Sequence, residues 1–255
     1  QESFLRTDMY HQYAPFFSEF RHKLLSGESL LYSWDVGMGV NFAALYAYYL
    51  ASPFNWLLLL CPSSLIIEFM TYMIVFKSGL AGLSMAWYLK KHTGSQKFGA
   101  CYFGVFYALS GYMAAYSWNI MWLDCIVLLP LILHGLERLV REKKGLFYCL
   151  MLGLSILSNY YISIMICLFM VIYYVALLFL EKRPGWKDCL HSFFLFGVYS
   201  LLAGALAAAV LLPEIAALQS TASGDFNFPT TLEIYFPIFD MIARHIGNVQ
   251  VETGL

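Results

Sequence analysis

The chain has 255 residues, of which 60% are hydrophobic, 18% are aromatic and only 12% are charged. Soluble domains are typically ~25% charged, so this composition excludes a disordered chain and a soluble globule. The net charge of −1 excludes a strongly basic protein of the kind that attracts nucleic acid. An integral membrane protein with several helices remains.

Six stretches are apolar and about long enough to cross a bilayer core, which takes about 20 residues in a helix. They are residues 64–89, 98–117, 124–140, 146–160, 162–180 and 189–212, of which the fourth is short. The sequence therefore predicts an all-α fold, a polytopic integral membrane helical bundle. We expect about six transmembrane helices and some short helices at the outer face.

The basic residues of the connections predict how these helices are oriented. Ten of the 15 Lys and Arg residues lie in residues 90–97, 138–144 and 182–187, three connections that share one side if the spans alternate. The connections on the opposite side, 118–123 and 158–161, contain no Lys or Arg. By the positive-inside rule, the basic side is cytoplasmic.

This orientation divides the chain into three regions. Residues 1–63 form a first extracytoplasmic loop, residues 64–212 form the transmembrane bundle, and residues 213–255 begin another extracytoplasmic loop. Because residue 1 would then lie outside, we expect a further span to precede it.

The first extracytoplasmic loop is predicted to contain two kinds of helix. Apolar residues recur at helical spacing over residues 9–25, which indicates an amphipathic helix. This helix would lie either on the outer membrane surface or against the protein itself. Residues 42–60 are apolar but interrupted by Pro53 and Asn55, so we expect two short helices that enter and leave the outer half of the membrane.

Lys77 is the most informative residue within a predicted span, because it lies near the centre of residues 64–89. A lysine there costs about 2.5–3.5 kcal/mol on insertion scales, so it normally faces a wet cavity or a counter-charge. One interpretation is that Lys77 binds an anionic group such as a lipid-linked phosphate. The other is a structural ion pair with an acid such as Glu68 or Asp35.

Two acids are candidates for chemistry at the outer face. Asp8 precedes the amphipathic helix, where its carboxylate would act as a general base, hold a cation, or cap the helix. Asp124 follows the outer connection 118–123. It is either the N-cap of the next helix or a second acid that faces the same cavity.

Four further residues are candidate substrate contacts. Asp35 and Asn41 flank a turn that contains two glycines, a weak signal for a phosphate loop and a stronger one for a tight turn. Asn159 and Tyr160 form another outer turn, and their polar tips suit sugar hydroxyl groups. Tyrosine is also common at membrane interfaces, which leaves an anchoring role open.

Five segments together resemble the bacterial YfhO-type membrane proteins. These segments are residues 8–16 (DMYHQYAPF), 37–42 (GMGVNF), 48–55 (YYLASPFN), 77–82 (KSGLAG) and 158–163 (SNYYIS). The resemblance covers nearly the whole chain, and the order of the segments carries it more than any one of them. Since that family is much longer, the chain would be its N-terminal part without the first helix.

The resemblance implies a GT-C glycosyltransferase fold in the bacterial cytoplasmic membrane, with the active site outside. Such enzymes transfer a sugar from a polyprenyl-phosphate carrier, here to a cell-envelope polymer such as lipoteichoic acid. The family pattern places an essential acid in the first outer loop, where Asp8 matches, and a second acid in a later loop, where Asp124 is nearest. Lys77, Arg6 and Arg244 are candidates for stabilising the leaving phosphate.

Metal dependence stays open, because the pair of acids typical of the family's first loop is absent here. A divalent cation is possible, and no other cofactor is implied. A transporter or flippase without bond chemistry is the main alternative, since a lysine at mid-membrane and broken helices suit it too. A structural assembly partner is a third.

Overall fold

The computed structural model describes residues 8–94, 98–180 and 185–219, together with Phe239. The chain divides into two compact units, Gln1–Ala217 and Leu218–Leu255, and the account below concerns the first. Its helices are α1 (Ala14–Ser26), α2 (Phe42–Leu45), α3 (Ile66–Thr93), α4 (Gly99–Ala108), α5 (Gly111–Tyr116), α6 (Leu123–Glu142), α7 (Leu146–Ser158), α8 (Tyr160–Leu180), α9 (Trp186–Leu206) and α10 (Ala208–Gln219).

The predicted amphipathic helix packs against the protein itself. A π-helical turn, Met9–Tyr13, leads directly into α1, which ends at Gly27 in the left-handed conformation. Met9, Phe17 and Phe20 are at most 1% exposed and join one hydrophobic core with residues of α3 and of the connection before α6. The apolar stripe is therefore covered by protein, and the interpretation as a helix lying on the membrane is wrong for its central residues.

A short hairpin and a sharp bend follow α1. Strands β1 (Tyr32–Ser33) and β2 (Val40–Asn41) pair in antiparallel fashion around the glycine turn. Then α2 continues as a π-helical turn, Tyr46–Leu50. A 3-10 segment, Pro53–Leu60, follows, and the chain bends by 101° between the two. Proline cannot donate a backbone hydrogen bond, which explains why the apolar run breaks at Pro53. We call the segments Phe42–Leu50 and Pro53–Leu60 the bent pair; they form either one broken span or a re-entrant loop.

Within the described part of the chain, three helices are long and apolar enough to cross a membrane, in the segments Ser63–Thr93, Tyr160–Leu180 and Trp186–Leu206. The bent pair raises that number to four if it forms one span. The other predicted spans are helical but less regular. The second is divided into α4 and α5, the third carries acids near both its ends, and the fourth is the 13-residue helix α7.

The helices form an integral membrane bundle with two hydrophobic cores. One core joins α6, α7, α8 and α9, and the other joins the N-terminal segment to α3. The first core depends on the close approach of α6 and α7 at Gly135, where an added Cβ would lie 2.7 Å from the backbone of Tyr148. By contrast, only 11% of the apolar part of α9 is buried within the protein, which leaves most of it to contact lipid.

Candidate functional site

The segments predicted to lie outside meet at one end of the bundle. The Tyr13 hydroxyl donates to Asn119 Oδ1 at 3.2 Å, so the N-terminal segment contacts the connection before α6. Asn159 Nδ2 donates to the Tyr48 carbonyl oxygen at 2.9 Å, so the bent pair contacts the turn between α7 and α8. Residues far apart in sequence thus form one polar region.

Four tyrosines form the centre of this region, and we call them the tyrosine cluster: Tyr13, Tyr48, Tyr49 and Tyr160. The ring centroids of Tyr13 and Tyr49 are 5.5 Å apart, those of Tyr48 and Tyr49 are 4.7 Å apart, and those of Tyr48 and Tyr160 are 5.9 Å apart. Their rings offer apolar faces and their hydroxyls offer hydrogen bonds, a combination that suits polyhydroxylated ligands.

Asp8 lies at one edge of the tyrosine cluster. Its side chain is exposed, and it makes no capping hydrogen bond to the helical turn that follows. Burial raises the pKa of Tyr13 above its usual range, and the neighbouring Tyr49 and Asp8 raise it further. Tyr13 therefore stays protonated and donates to Asn119, whereas the Asp8 carboxylate faces outward. The hydrogen bond that a capping role of the Asp8 side chain requires is absent.

Lys77 and Asp124 form a buried ion pair between α3 and α6. Lys77 Nζ lies 2.6 Å from Asp124 Oδ2, and the two side chains are 1% and 3% exposed. Ser52 Oγ donates to Asp124 Oδ1 at 2.9 Å and accepts from Lys77 Nζ at 3.2 Å. The Ile120 carbonyl oxygen accepts a third hydrogen bond from Lys77 Nζ at 3.2 Å.

This geometry favours the ion-pair interpretation of Lys77 and corrects the identity of its partner. The partner of Lys77 is Asp124, not Glu68 or Asp35, and an ammonium group has only three donors, all of which are used here. As placed, Lys77 has no donor for a phosphate. Asp124 is enclosed in the pair, so it neither caps α6 nor faces an open cavity.

Asp35 and Asn41 lie apart from that ion pair. Asn41 Oδ1 accepts from the Ala44 backbone N–H at 3.2 Å, which caps α2. Asp35 is exposed and lines a cavity of about 570 Å³ together with His11 and Glu19. The Asp35 side chain thus borders a cavity, while the Asn41 side-chain oxygen is bonded within the fold.

The two residues of the α7–α8 turn differ in role. Asn159 is 0% exposed, and both ends of its amide are bonded, to the Tyr48 carbonyl oxygen and to the Ile162 backbone N–H. The Tyr160 hydroxyl donates to Glu214 Oε1 at 2.6 Å. Asn159 holds the turn in place, whereas Tyr160 connects the tyrosine cluster to a buried acid.

Arg6 and Arg244, the other predicted cations of the site, lie outside the described residues. Across residues 8–94, 98–180 and 185–219, no group of three or more His, Cys, Asp or Glu side chains is arranged to hold a metal ion.

A second polar cluster lies at the opposite end of the bundle, near the predicted cytoplasmic connections. Glu137 Oε1 accepts from the Tyr88 hydroxyl at 2.8 Å and from the Tyr173 hydroxyl at 2.7 Å, and it lies 2.7 Å from His92 Nδ1. Arg141 Nη1 lies 3.4 Å from Glu137 Oε2. These contacts connect α3, α6 and α8, which gives the cluster a structural role.

The two ends make the orientation testable by cysteine labelling in intact cells. We expect a membrane-impermeant maleimide to label Met38→Cys, since Met38 is 94% exposed in the predicted outer region. Lys91→Cys should be labelled only after permeabilisation, because Lys91 is exposed in the basic last turn of α3, at the predicted cytoplasmic side. The native cysteines give the background, measured on the wild type. Labelling of Lys91→Cys in intact cells would reverse the orientation and move the tyrosine cluster inside.

Four residues of this region could hardly be identified from the sequence. Ser52 contacts both members of the ion pair, yet in the sequence it stands out only as the residue before a proline. Tyr48 and Tyr49 belong to an aromatic run that is common at membrane interfaces. Glu214 reads as one outer acid among several, and only its position after Pro213 in an apolar stretch distinguishes it.

Helices that expose apolar surface to lipid, together with a polar region at one end, define a helical integral membrane protein. The chain belongs to the family described as bacterial membrane protein YfhO, whose model matches residues 1–251. The expected resemblance is confirmed. No solved structure matches the chain.

One relative comes from Bacillus subtilis (strain 168), where it bears the name "Uncharacterized protein YfhO". It is 24% identical over 199 residues, which cover 72% of this chain and 23% of the relative. The chain thus spans about a quarter of the length of this relative.

Proposed function

We propose that the protein is a membrane glycosyltransferase of the GT-C type. It would transfer a sugar from a polyprenyl-phosphate carrier to a cell-envelope acceptor such as lipoteichoic acid, on the outer side of the bacterial cytoplasmic membrane. The observation that carries the proposal is the exposed carboxylate of Asp8 beside the tyrosine cluster, at the end of an apolar bundle. A lipid-linked sugar needs such a polar site next to the membrane.

In this reaction Asp8 is the general base. It takes the proton of an acceptor hydroxyl, and the acceptor oxygen attacks the anomeric carbon of the sugar. The bond between that carbon and the phosphate oxygen breaks, and the polyprenyl phosphate leaves with the electron pair. A cation near the phosphate stabilises this charge.

Arg6 and Arg244 are the candidates for that cation, since the donors of Lys77 are used within the ion pair. Lys77 and Asp124 then act on the site indirectly. They fix Ser52 and the bend after Tyr46–Leu50, and that bend holds Tyr48 and Tyr49 beside Tyr13. Asp35 would contribute to the acceptor side through the cavity that it shares with His11.

The 101° bend between the two short helices also supports a second candidate, a lipid or polysaccharide transporter without bond chemistry. Broken helices commonly line the substrate sites of secondary transporters. The two functions differ in whether a covalent bond is broken.

A reconstitution of the full-length protein in liposomes separates them. With a radiolabelled polyprenyl-phosphate hexose and lipoteichoic acid, we expect release of free polyprenyl phosphate and label in the acceptor. Empty liposomes give the uncatalysed background. Passage of the intact carrier across the bilayer without release would support the transporter and contradict the glycosyltransferase.

A further inference from the structure

Among the buried acids of the described residues, Glu214 is the one with an oxygen that has no hydrogen-bond partner; the half-buried Glu68 also has one such oxygen. The Glu214 side chain is 5% exposed, and its Oε1 accepts one hydrogen bond, from the Tyr160 hydroxyl. Oε2 is enclosed and has no hydrogen-bond partner among the described residues. A buried carboxylate oxygen without a partner is costly, and native proteins seldom retain one without a reason.

The other buried acids of the described chain show how the same fold satisfies a carboxylate. Asp124 binds Lys77 and Ser52, and Glu137 binds two tyrosines, His92 and Arg141. Glu19 accepts from Ser33 Oγ at 2.6 Å and lies 3.5 Å from Lys23 Nζ. Each of these acids has a basic partner, whereas the partner of Glu214 among the described residues is a single neutral hydroxyl.

The environment of Glu214 points to the missing partner. Tyr160 connects Glu214 to the tyrosine cluster, and Asp8 lies at the far edge of that cluster. Asn119, which accepts from Tyr13 at the Asp8 side, is 2% exposed, and its Nδ2 also lacks a partner among the described residues. The cluster is thus bordered by one buried acceptor and one buried donor that have no partner among the described residues.

We infer that Glu214 is a substrate-binding residue whose Oε2 accepts hydrogen bonds from a neutral polyhydroxyl group, the sugar that is transferred. The inference rests on the proposed function. A carboxylate repels the carrier phosphate, so the phosphate binds elsewhere and the uncharged sugar is the complementary ligand. Tyr160 is a positioning residue, because it holds Oε1 and thereby fixes the direction of Oε2.

The test compares Glu214→Gln with the wild type, using full-length protein in liposomes and the labelled polyprenyl-phosphate hexose. Gln keeps the volume but replaces the charge-assisted hydrogen bond. We expect the donor KM to rise about tenfold or more, with kcat within about threefold and the acceptor KM unchanged. The melting temperature without substrate should stay level, because Gln can still accept the hydrogen bond from Tyr160 and Oε2 has no partner to lose.

Two further variants sharpen the result. Tyr160→Phe should raise the donor KM by a smaller factor, because Glu214 keeps its charge but loses its support. Glu142→Gln, which replaces an exposed acid at the C-terminal end of α6, is the matched control and should leave both KM values and kcat unchanged. A rise in the acceptor KM instead of the donor KM would overturn the assignment to the transferred sugar.

The remaining outcomes separate this inference from the proposed function. Normal wild-type turnover, together with unchanged KM values and a lowered melting temperature in Glu214→Gln, would overturn the inference alone and make Glu214 structural. Absence of turnover in the wild type would overturn the proposed function and the inference that rests on it.

Discussion

Replacing Asp8 by Asn is expected to lower glycosyl transfer by about two to four orders of magnitude, which is the usual contribution of a general base. Asn keeps the size and the polarity of the side chain but cannot take a proton from the acceptor. The melting temperature should hardly change, because Asp8 is exposed and makes no capping hydrogen bond. Turnover in liposomes and thermal unfolding of the same preparation give both values.

Asp188→Asn is the matched control for this experiment. Asp188 is also exposed and also lies at the start of a helix, but it belongs to α9 near the predicted cytoplasmic side. It should retain full activity. Near-normal turnover in Asp8→Asn would show that Asp8 takes no part in the chemistry. The acid that the family pattern places in the first outer loop would then have no counterpart at residue 8.

The second large effect is expected at Lys77. Lys77→Met leaves Asp124 buried with only Ser52 as a partner, and removal of one member of a buried pair costs about 3–5 kcal/mol. We therefore expect a clearly lower melting temperature for the full-length protein in detergent, with unchanged donor affinity in the fraction that remains folded. Asp124→Asn should be destabilised to a similar extent.

The double variant Lys77→Met/Asp124→Asn tests whether the two losses share one origin. Since neither side chain then carries a charge, most of the lost stability should return, and the two single effects should not add. If Lys77→Met weakens donor binding without lowering the melting temperature, Lys77 contacts the carrier phosphate and the ion pair is dispensable.

The sequence predicted the helices and the polar end well, because the signals for both are local. Apolar runs and the basic connections 90–97, 138–144 and 182–187 depend on neighbouring residues only. The helical stripe over residues 9–25 was equally clear. Its periodicity indicates an apolar face, but it carries no information on whether lipid or protein covers that face.

The ion pair could not be predicted in the same way. Lys77 required an acid, but its partner Asp124 lies 47 residues away on another helix. Which acid meets Lys77 depends on how α3 and α6 are aligned, and that alignment follows from packing. The roles of Ser52 and Glu214 depend on the same tertiary contacts. The role of Asp8 stays a prediction, which the turnover of Asp8→Asn tests.

The contact between Lys77 and Asp124 also constrains how the chain enters the membrane during synthesis. When α3 leaves the ribosome, its lysine has no counter-charge, and its stay in the bilayer centre costs about 2.5–3.5 kcal/mol. Asp124 emerges only 47 residues later. We therefore expect α3 to remain beside the insertion machinery until α6 arrives, so that the two helices partition into lipid together with their charges already neutralised.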